Sequence, residues 1–243
     1  MRRLALILIL AVSFSVGLVL PSAADDHIAG SMKRTYMGRT FPPQTSEVWI
    51  ADGKSSVRDG VVTIITRNDL GKKWILNQRT KKYLEESISP QPAPPSKTEK
   101  FRIQEYGWDY EPVYEWSAKE TGEIAEINGL KCIKVLLAGE ADYASETREI
   151  WISKDVPIDL KRYYSQFVEP GLEPAIRGVY RSVSALRNGL AVKTITTQER
   201  PIGNPFVWEN VLTKAEKSEP PAGIYELPGD YTKAKNRDEW AGR

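Results

Sequence analysis

The sequence predicts a mainly β (α+β) protein: one large curved antiparallel sheet forming an incomplete β-barrel, with one or two covering helices. Three observations carry this. Val48-Trp49-Ile50, Trp74-Ile75-Leu76 and Ile150-Trp151-Ile152 each set a tryptophan between aliphatic neighbours, and Val207-Trp208 is a partial fourth. Successive side chains of an extended chain face opposite sides, so these segments are apolar on both faces. Turn pairs cut the chain at strand-length intervals, and one stretch alone has good helical spacing. An antiparallel sheet with one wet face would alternate apolar and polar residues, so this pattern asks for cover on one face and packing or an apolar cavity on the other. A two-sheet sandwich is the alternative, but it should leave a polar outer face on the tryptophan strands.

Each element follows from local signals. Val48 to Ala51 passes through Asp52-Gly53-Lys54 into a second strand, and Val57 passes through Asp59-Gly60 into Val61 to Ile65. Asn68 to Gly71 turns the chain into Lys73 to Leu76, and Asn77 to Lys81 turns it into Lys82 to Leu84. Short polar turns of this kind make a meander. Pro90, Pro92, Pro94 and Pro95 then exclude central strand or helix, so 87–98 is a Pro-rich loop, followed by an aromatic segment from Tyr106 to Trp116. A second meander starts near Tyr114, with Thr121-Gly122 and Asn128-Gly129 as hairpin turns and strands over Leu130 to Ala138 and Thr147 to Ser153. Leu160, Tyr163, Tyr164 and Phe167 fall at helical spacing, with Asp155 as the cap and Pro170-Gly171 as the stop. Val179 to Leu186, the Arg187-Asn188-Gly189 turn and Leu190 to Thr197 read as a hairpin, Phe206 to Ala215 as the last long strand, and 232–243 as a frayed charged tail. About eleven strands in one twisted sheet tend to curl or close.

Arg2 and Arg3 precede an uncharged apolar run from Leu4 to Leu20, then Pro21 and the small residues Ser22-Ala23-Ala24. This is the pattern of a signal peptide over 1–24, cut between Ala24 and Asp25, which places the rest of the chain in a bacterial periplasm. The run is at the short edge of what spans a bilayer, so the alternative is an uncleaved helix anchoring the protein in the inner membrane. Residues 25–44 form an N-terminal segment and first strand, and 45–231 a single domain. The formal net charge of +2 equals the contribution of Arg2 and Arg3, because the leader holds no acid, so the remainder is balanced and does not suit a nucleic-acid binder. Cys132 is the single cysteine, which leaves no intramolecular disulfide; at strand spacing beside Leu130 it reads as a buried core thiol.

Several phrases resemble a known group. Glu47 to Lys54, Val57-Arg58-Asp59, Thr63 to Arg67, Trp74 to Asn77 with Lys81-Lys82-Tyr83, then Ile127 to Cys132, Glu149 to Asp155 and the closing Ile224 to Tyr231 occur in an order and spacing similar to exported bacterial proteins of unknown function related to outer-membrane lipoprotein carriers. The resemblance implies a LolA-like fold, a curved, incomplete barrel closed by helices whose interior holds acyl chains in the carriers. It assigns no ligand-gating residue to any position here.

Catalytic signatures are absent. His27 is the single histidine and falls in the N-terminal segment, where it reads as a solvated tail residue, so histidine metal clusters and Ser-His or Cys-His pairs are excluded. Glu85 and Glu86 are neighbours on opposite faces of a strand, and no Gly-rich phosphate loop occurs. No cofactor is implied. Lys72, Lys73, Arg79, Lys81 and Lys82 form a basic stretch without an acid, read as a solvated rim or, alternatively, as a peripheral membrane contact. Core packing is the ordinary use of Trp49, Trp74, Trp151 and Trp208; the functional alternative is that they line an apolar cleft with Tyr163 and Phe167. The expected function is non-enzymatic binding of a lipid or lipoprotein acyl chain in the concave face. The competing expectation is an envelope signalling or assembly component that recognises a protein partner with no small ligand inside.

Overall fold

The computed structural model describes residues 24–88, 114–141, 144–168, 172, 174–199 and 203–242. The leader up to residue 23, most of the Pro-rich loop and most of the Tyr106 to Trp116 segment lie outside the described residues. In chain order the strands are β1 (Asp25–Tyr36), β2 (Arg39–Thr40), β3 (Gln44–Ala51), β4 (Lys54–Asp59), β5 (Val62–Arg67), β6 (Lys72–Asn77), β7 (Lys82–Ser87), β8 (Glu115–Ile127), β9 (Leu130–Ala141), β10 (Ala144–Ser153), β11 (Leu190–Glu199), β12 (Phe206–Ser218) and β13 (Thr232–Lys233). The helices are α1 (Leu160–Tyr163), continued by a π turn over Tyr164–Val168, then α2 (Pro174–Ser182), α3 (Ser184–Arg187) and α4 (Arg237–Ala241). All strands join one sheet in the order β13-β7-β6-β5-β4-β3-β1-β12-β11-β10-β9-β8, with β2 as a side branch on β1. The two ends of that order are not paired to each other, so the barrel is incomplete.

The sheet is two meanders fastened by β1. Strand β1 pairs antiparallel with both β3 and β12, putting the earliest strand in the middle rather than at an edge. Two hydrogen bonds show the curl. Asn128 Nδ2, in the β8–β9 turn, donates to the Leu212 carbonyl of β12 at 2.6 Å, and Gln198 Nε2 of β11 donates to Tyr114 Oη, just before β8, at 3.1 Å. In a flat sheet each pair would stand three strand spacings apart, about 14 Å, so the β8–β9 end must roll toward β11 and β12. Irregularities supply the bending. Thr213 is an extra residue on β12 opposite Ala29/Gly30, and Val192 is an extra residue on β11 opposite Trp151/Ile152. An inserted residue of this kind bends its strand and increases the local twist.

Four expectations are corrected. Thr121-Gly122 is not a hairpin turn: β8 runs through it as a bulge, with Gly122 at φ 81° and Thr121 Oγ1 donating to the Lys134 carbonyl at 3.3 Å. Val179 to Leu186 is not a strand but belongs to α2 and α3, because its apolar residues fall on one helical stripe as well as on alternate strand positions and the sheet offers a face to cover. The cap of α1 is Asp159, whose side chain accepts from the Arg162 backbone N–H, not Asp155. The tail is not frayed. Strand β13 pairs in parallel with β7, and Trp240 Nε1 of α4 donates to the Ile75 carbonyl at 3.0 Å.

Three apolar clusters hold the sheet. Ile28, Val48, Ile50, Leu190, Val192 and Leu212 pack with Ile158, and with Leu160, Tyr163 and Phe167 of the α1 segment. Val135, Leu137, Ile150 and Ile152 pack against Ile176, Ala185 and Leu186 of α2 and α3. Ile65, Trp74 and Leu76, facing the other way, are covered by Leu227 and Tyr231. The single cysteine, Cys132, is fully buried in the first cluster, and burial pushes its thiol up. Segment α1 is pinned by a buried charge. Asp26 in β1 has no solvent exposure and accepts from the Asp159 backbone N–H at 3.0 Å, Arg162 Nε at 3.1 Å and Lys217 Nζ at 2.9 Å.

Candidate functional site: a cleft on the helix-covered face

Strand register arranges the candidate site as a grid. Arg148 pairs with Thr196, Thr196 with Trp208, and Trp208 with Arg34; one step along the strands, Ile150 pairs with Thr194, Thr194 with Asn210, and Asn210 with Met32. Because side chains alternate with a period of two, all of these project from the face that α1 to α3 cover. Between that face and the helices lies a cleft of about 410 Å³. Ile150, Ile152 and Leu186 supply its apolar floor, Tyr163, Tyr180 and Trp208 its aromatic walls, and Thr194, Thr196 and Asn210 a polar strip. The volume falls within the usual range of small-molecule pockets, roughly 300–1,000 Å³.

The charged groups in the cleft are mutually satisfied. Arg148 Nε donates to Glu146 Oε1 at 2.6 Å, and Glu146 is buried. The guanidinium also lies 4.7 Å from the Trp116 ring. Burial pushes the Tyr163 phenol well above the ordinary tyrosine range and raises that of Tyr180, where Arg148 opposes the effect. Both therefore stay neutral at pH 7. Among the described residues the lining contains no second carboxylate to work with Glu146.

A second cleft, of about 380 Å³, shares Trp208 as a wall. Met32, Tyr36, Phe41, Pro42, Phe206 and Arg34 line it. Tyr36 stacks on Phe206 at 3.9 Å between ring centres, and Phe206 lies 5.8 Å from Trp208 at an interplanar angle of 13°.

The structure brings some of the residues singled out in the sequence together and separates others. Trp208 and Tyr163 line the first cleft, and Phe167 stands next to Tyr163, 5.5 Å away, packed on the cluster beneath α1. Trp151 alternates with Ile150 and Ile152, does not join them in the cleft, and lies 5.5 Å from Lys134 Nζ. Trp49 and Trp74 are on the opposite face, in the cross-strand row His27, Trp49, Ser56, Ile65, Trp74, Glu85. His27 is not a solvated tail residue. It is buried in β1, stacks on Trp49 at 4.0 Å and bonds Glu47 through Nε2 at 2.9 Å. In that same row Trp74 Nε1 donates to Glu85 Oε2 at 2.9 Å, which with Lys233 holds the Glu85 carboxyl below its ordinary range.

The four lysines of the basic stretch are paired with acids. Lys72 meets Glu85 at 3.6 Å, Lys73 meets Glu86 at 3.0 Å, Lys81 meets Asp230 at 3.0 Å and Lys82 meets Glu239 at 2.9 Å. Among the described residues no helix is long and apolar enough to cross a membrane. Ala24 directly precedes β1, and Asp25, its first residue, accepts from the Tyr225 hydroxyl at 2.8 Å.

Contributors to the cleft without a place among the sequence candidates include Glu146, Arg148, Tyr180 and the Thr194/Thr196 pair. The signal for three of them was present, because Glu146-x-Arg148-x-Ile150-x-Ile152 and Thr194-x-Thr196 are i, i+2 series that share a face once the segment is known to be a strand. Tyr180 had none, because its short apolar segment satisfies the strand period as well as the helical one.

No family model matches the chain, and no curated protein does. Solved structures do resemble it in shape. PNGF-II matches in two crystal forms, at 11% identity with a TM-score of 0.39 and at 10% with 0.41, covering 87% and 90% of this chain. The chain spans about a third of the PNGF-II length, 31% and 33%. A DUF1329 family protein from Desulfovibrio piger is 12% identical, with a TM-score of 0.29, over 84% of this chain and 90% of the other. A LolA superfamily protein from Nitrosomonas europaea is 9% identical, with a TM-score of 0.30, over the same shares. Likenesses at these identities concern shape alone, and fold does not carry function with it. The curved, unclosed sheet stands on its own register and strand order.

Proposed function

We propose that this is a non-enzymatic, exported binding protein that holds a hydrophobic ligand, such as a lipid or a lipoprotein acyl chain, in the cleft beneath α1 to α3. The observation that carries the proposal is the cleft itself: a space of about 410 Å³ on a face already covered by helices, with aromatic walls and an aliphatic floor beside the Thr194, Thr196 and Asn210 strip, and with Arg148 neutralised by Glu146. Each methylene buried there contributes about 0.8 kcal/mol, so an alkyl chain gains affinity from length alone. Export rests on Arg2, Arg3, the Leu4 to Leu20 run and the small residues ending at Ala24, with the periplasm as destination.

The test is to express the full chain, purify the exported form, determine its N-terminal residue, extract it with organic solvent and analyse the extract by mass spectrometry. Asp25 as first residue and a co-purifying lipid are expected. A fluorescent fatty-acid probe should bind, and Trp208→Ala, which removes a wall of the cleft, should weaken it severalfold while the far-UV spectrum is retained. Empty extracts together with no probe binding would refute the proposal.

A further inference from the structure

The two clefts meet at Trp208, and the grid around it is asymmetric in charge. Arg34, Trp208, Thr196 and Arg148 lie side by side on four adjacent strands. At one end of this row Arg148 is neutralised by Glu146. At the other, Arg34 is exposed, and its one side-chain contact among the described residues is a 3.5 Å hydrogen bond to the neutral Gln44 Oε1. Gln44 in turn donates to Asp59 Oδ1, which keeps that carboxylate engaged one residue away from the guanidinium. An uncompensated cation thus stands at the rim of an aromatic groove, next to the ring that divides it from the cleft beneath α1 to α3. From Arg34 to Arg148 the row covers three strand spacings, about 14 Å. The apolar floor of Ile150, Ile152 and Leu186 lies at its far end.

We infer that the two clefts are one site for an anionic single-chain amphiphile, whose head group pairs with Arg34 and whose alkyl chain crosses Trp208 into the space beneath α2 and α3. The inference rests on the binding function proposed above and adds the charge class of the ligand and its orientation. A guanidinium suits a carboxylate or phosphate head because it offers two parallel N–H donors, and such charge-assisted bonds are stronger than neutral ones. The neutralised Glu146–Arg148 pair gives a second head group no comparable partner, so polarity in the site runs one way. The stacked rings of Tyr36, Phe206 and Trp208 line the first part of the chain's path.

The experiment is displacement of a fluorescent fatty-acid probe from the purified full-length exported protein by palmitate, hexadecanol and hexadecylamine, compounds of one chain length and three head-group charges. Palmitate should compete roughly tenfold better than hexadecanol, as expected for one charge-assisted pair, with hexadecylamine weakest. Arg34→Gln should bring palmitate down to the level of hexadecanol measured on the same variant, and Arg34→Lys should restore most of the difference. Higher salt should narrow the gap, because the head group meets an exposed charge. If palmitate and hexadecanol compete equally, or if the preference for palmitate survives Arg34→Gln, the inference is overturned while the hydrophobic site stands. If no alkyl compound displaces the probe and the probe itself does not bind, the binding function falls with it.

Discussion

Replacing Asp26 with alanine should be the most damaging single change in the first cluster. Asp26 is fully buried and gathers three donors, the Asp159 backbone N–H and the Arg162 and Lys217 side chains. Arg162 Nη2 adds a further contact at 3.0 Å, and the Arg162 side chain is only 15% exposed. Its remaining partner, Asp52, is 95% exposed and contributes little. Removing the carboxylate therefore strands a largely buried guanidinium and orphans the N–H at the start of α1. Breaking a buried pair in this way costs about 3–5 kcal/mol. Lys217→Ala removes a partner that is 45% exposed and should cost below about 1 kcal/mol. Urea unfolding followed by circular dichroism measures both. With a slope of about 2 kcal/mol per molar, Asp26→Ala should lower the midpoint by about 2 M, and Lys217→Ala by less than about 0.5 M. Equal, small shifts in the two variants would refute the reasoning, because they would mean that Arg162 reaches water or another acid as readily as it reaches Asp26.

Three further outcomes are expected. Gly189→Ala should destabilise by about 1–3 kcal/mol in the same urea assay, since a β-carbon there would collide with Ile152 Cγ2 and approach the Ala185 and Ser153 carbonyl oxygens to 3.0 and 3.1 Å; an unchanged midpoint would show that α3 can slide on β10. Stability should hold on acidification to about pH 5 and then fall: the carboxyls of Glu85, held down by the Trp74 N–H, Asp159, held down by the Arg162 backbone N–H, and Glu239, held down by the Lys235 backbone N–H, have lowered folded pKa values, so their contribution is complete above the unfolded carboxylate range near 4 and disappears as pH drops through the folded values. At the alkaline end, burial and the bond to Asp25 raise the Tyr225 phenol, so stability should decline once pH exceeds about 10, where the unfolded phenol ionises. A midpoint series across pH checks both limbs, and a maximum below about pH 4 would contradict the assignment.

Short-range signals in the sequence were strong where they were redundant. Asn128-Gly129 turns where expected, with φ of 51° and 75°, because few other dipeptides accept two positive φ angles in succession. Thr121-Gly122 carries a similar composition, yet β9 continues past it on the other side, and the pairing enforced by that neighbour converts a turn signal into a bulge. Met37-Gly38 makes a tight turn at φ 51° and 71° although methionine gives no sign of it. Val179 to Leu186 shows the limit of periodicity: a short apolar segment satisfies both periods, and its helical state follows from what it packs on.

The amino-acid sequence by itself determined that the chain forms strands apolar on both faces, that polar turns string them into antiparallel meanders, that a short helix follows Pro157, and that stability rests on burial without disulfides. Those properties depend on neighbours within a few residues. Only the tertiary structure decided that β1 stands in the middle, fastening two meanders into one sheet, that Trp49 and Trp74 face away from the cleft while Trp208 divides it, and that the C-terminal segment seals the opposite face. Which face a strand residue occupies is set by register and bulges, and these are fixed by partners far away along the chain, where a single inserted residue such as Val192 or Thr213 changes what the following side chains meet.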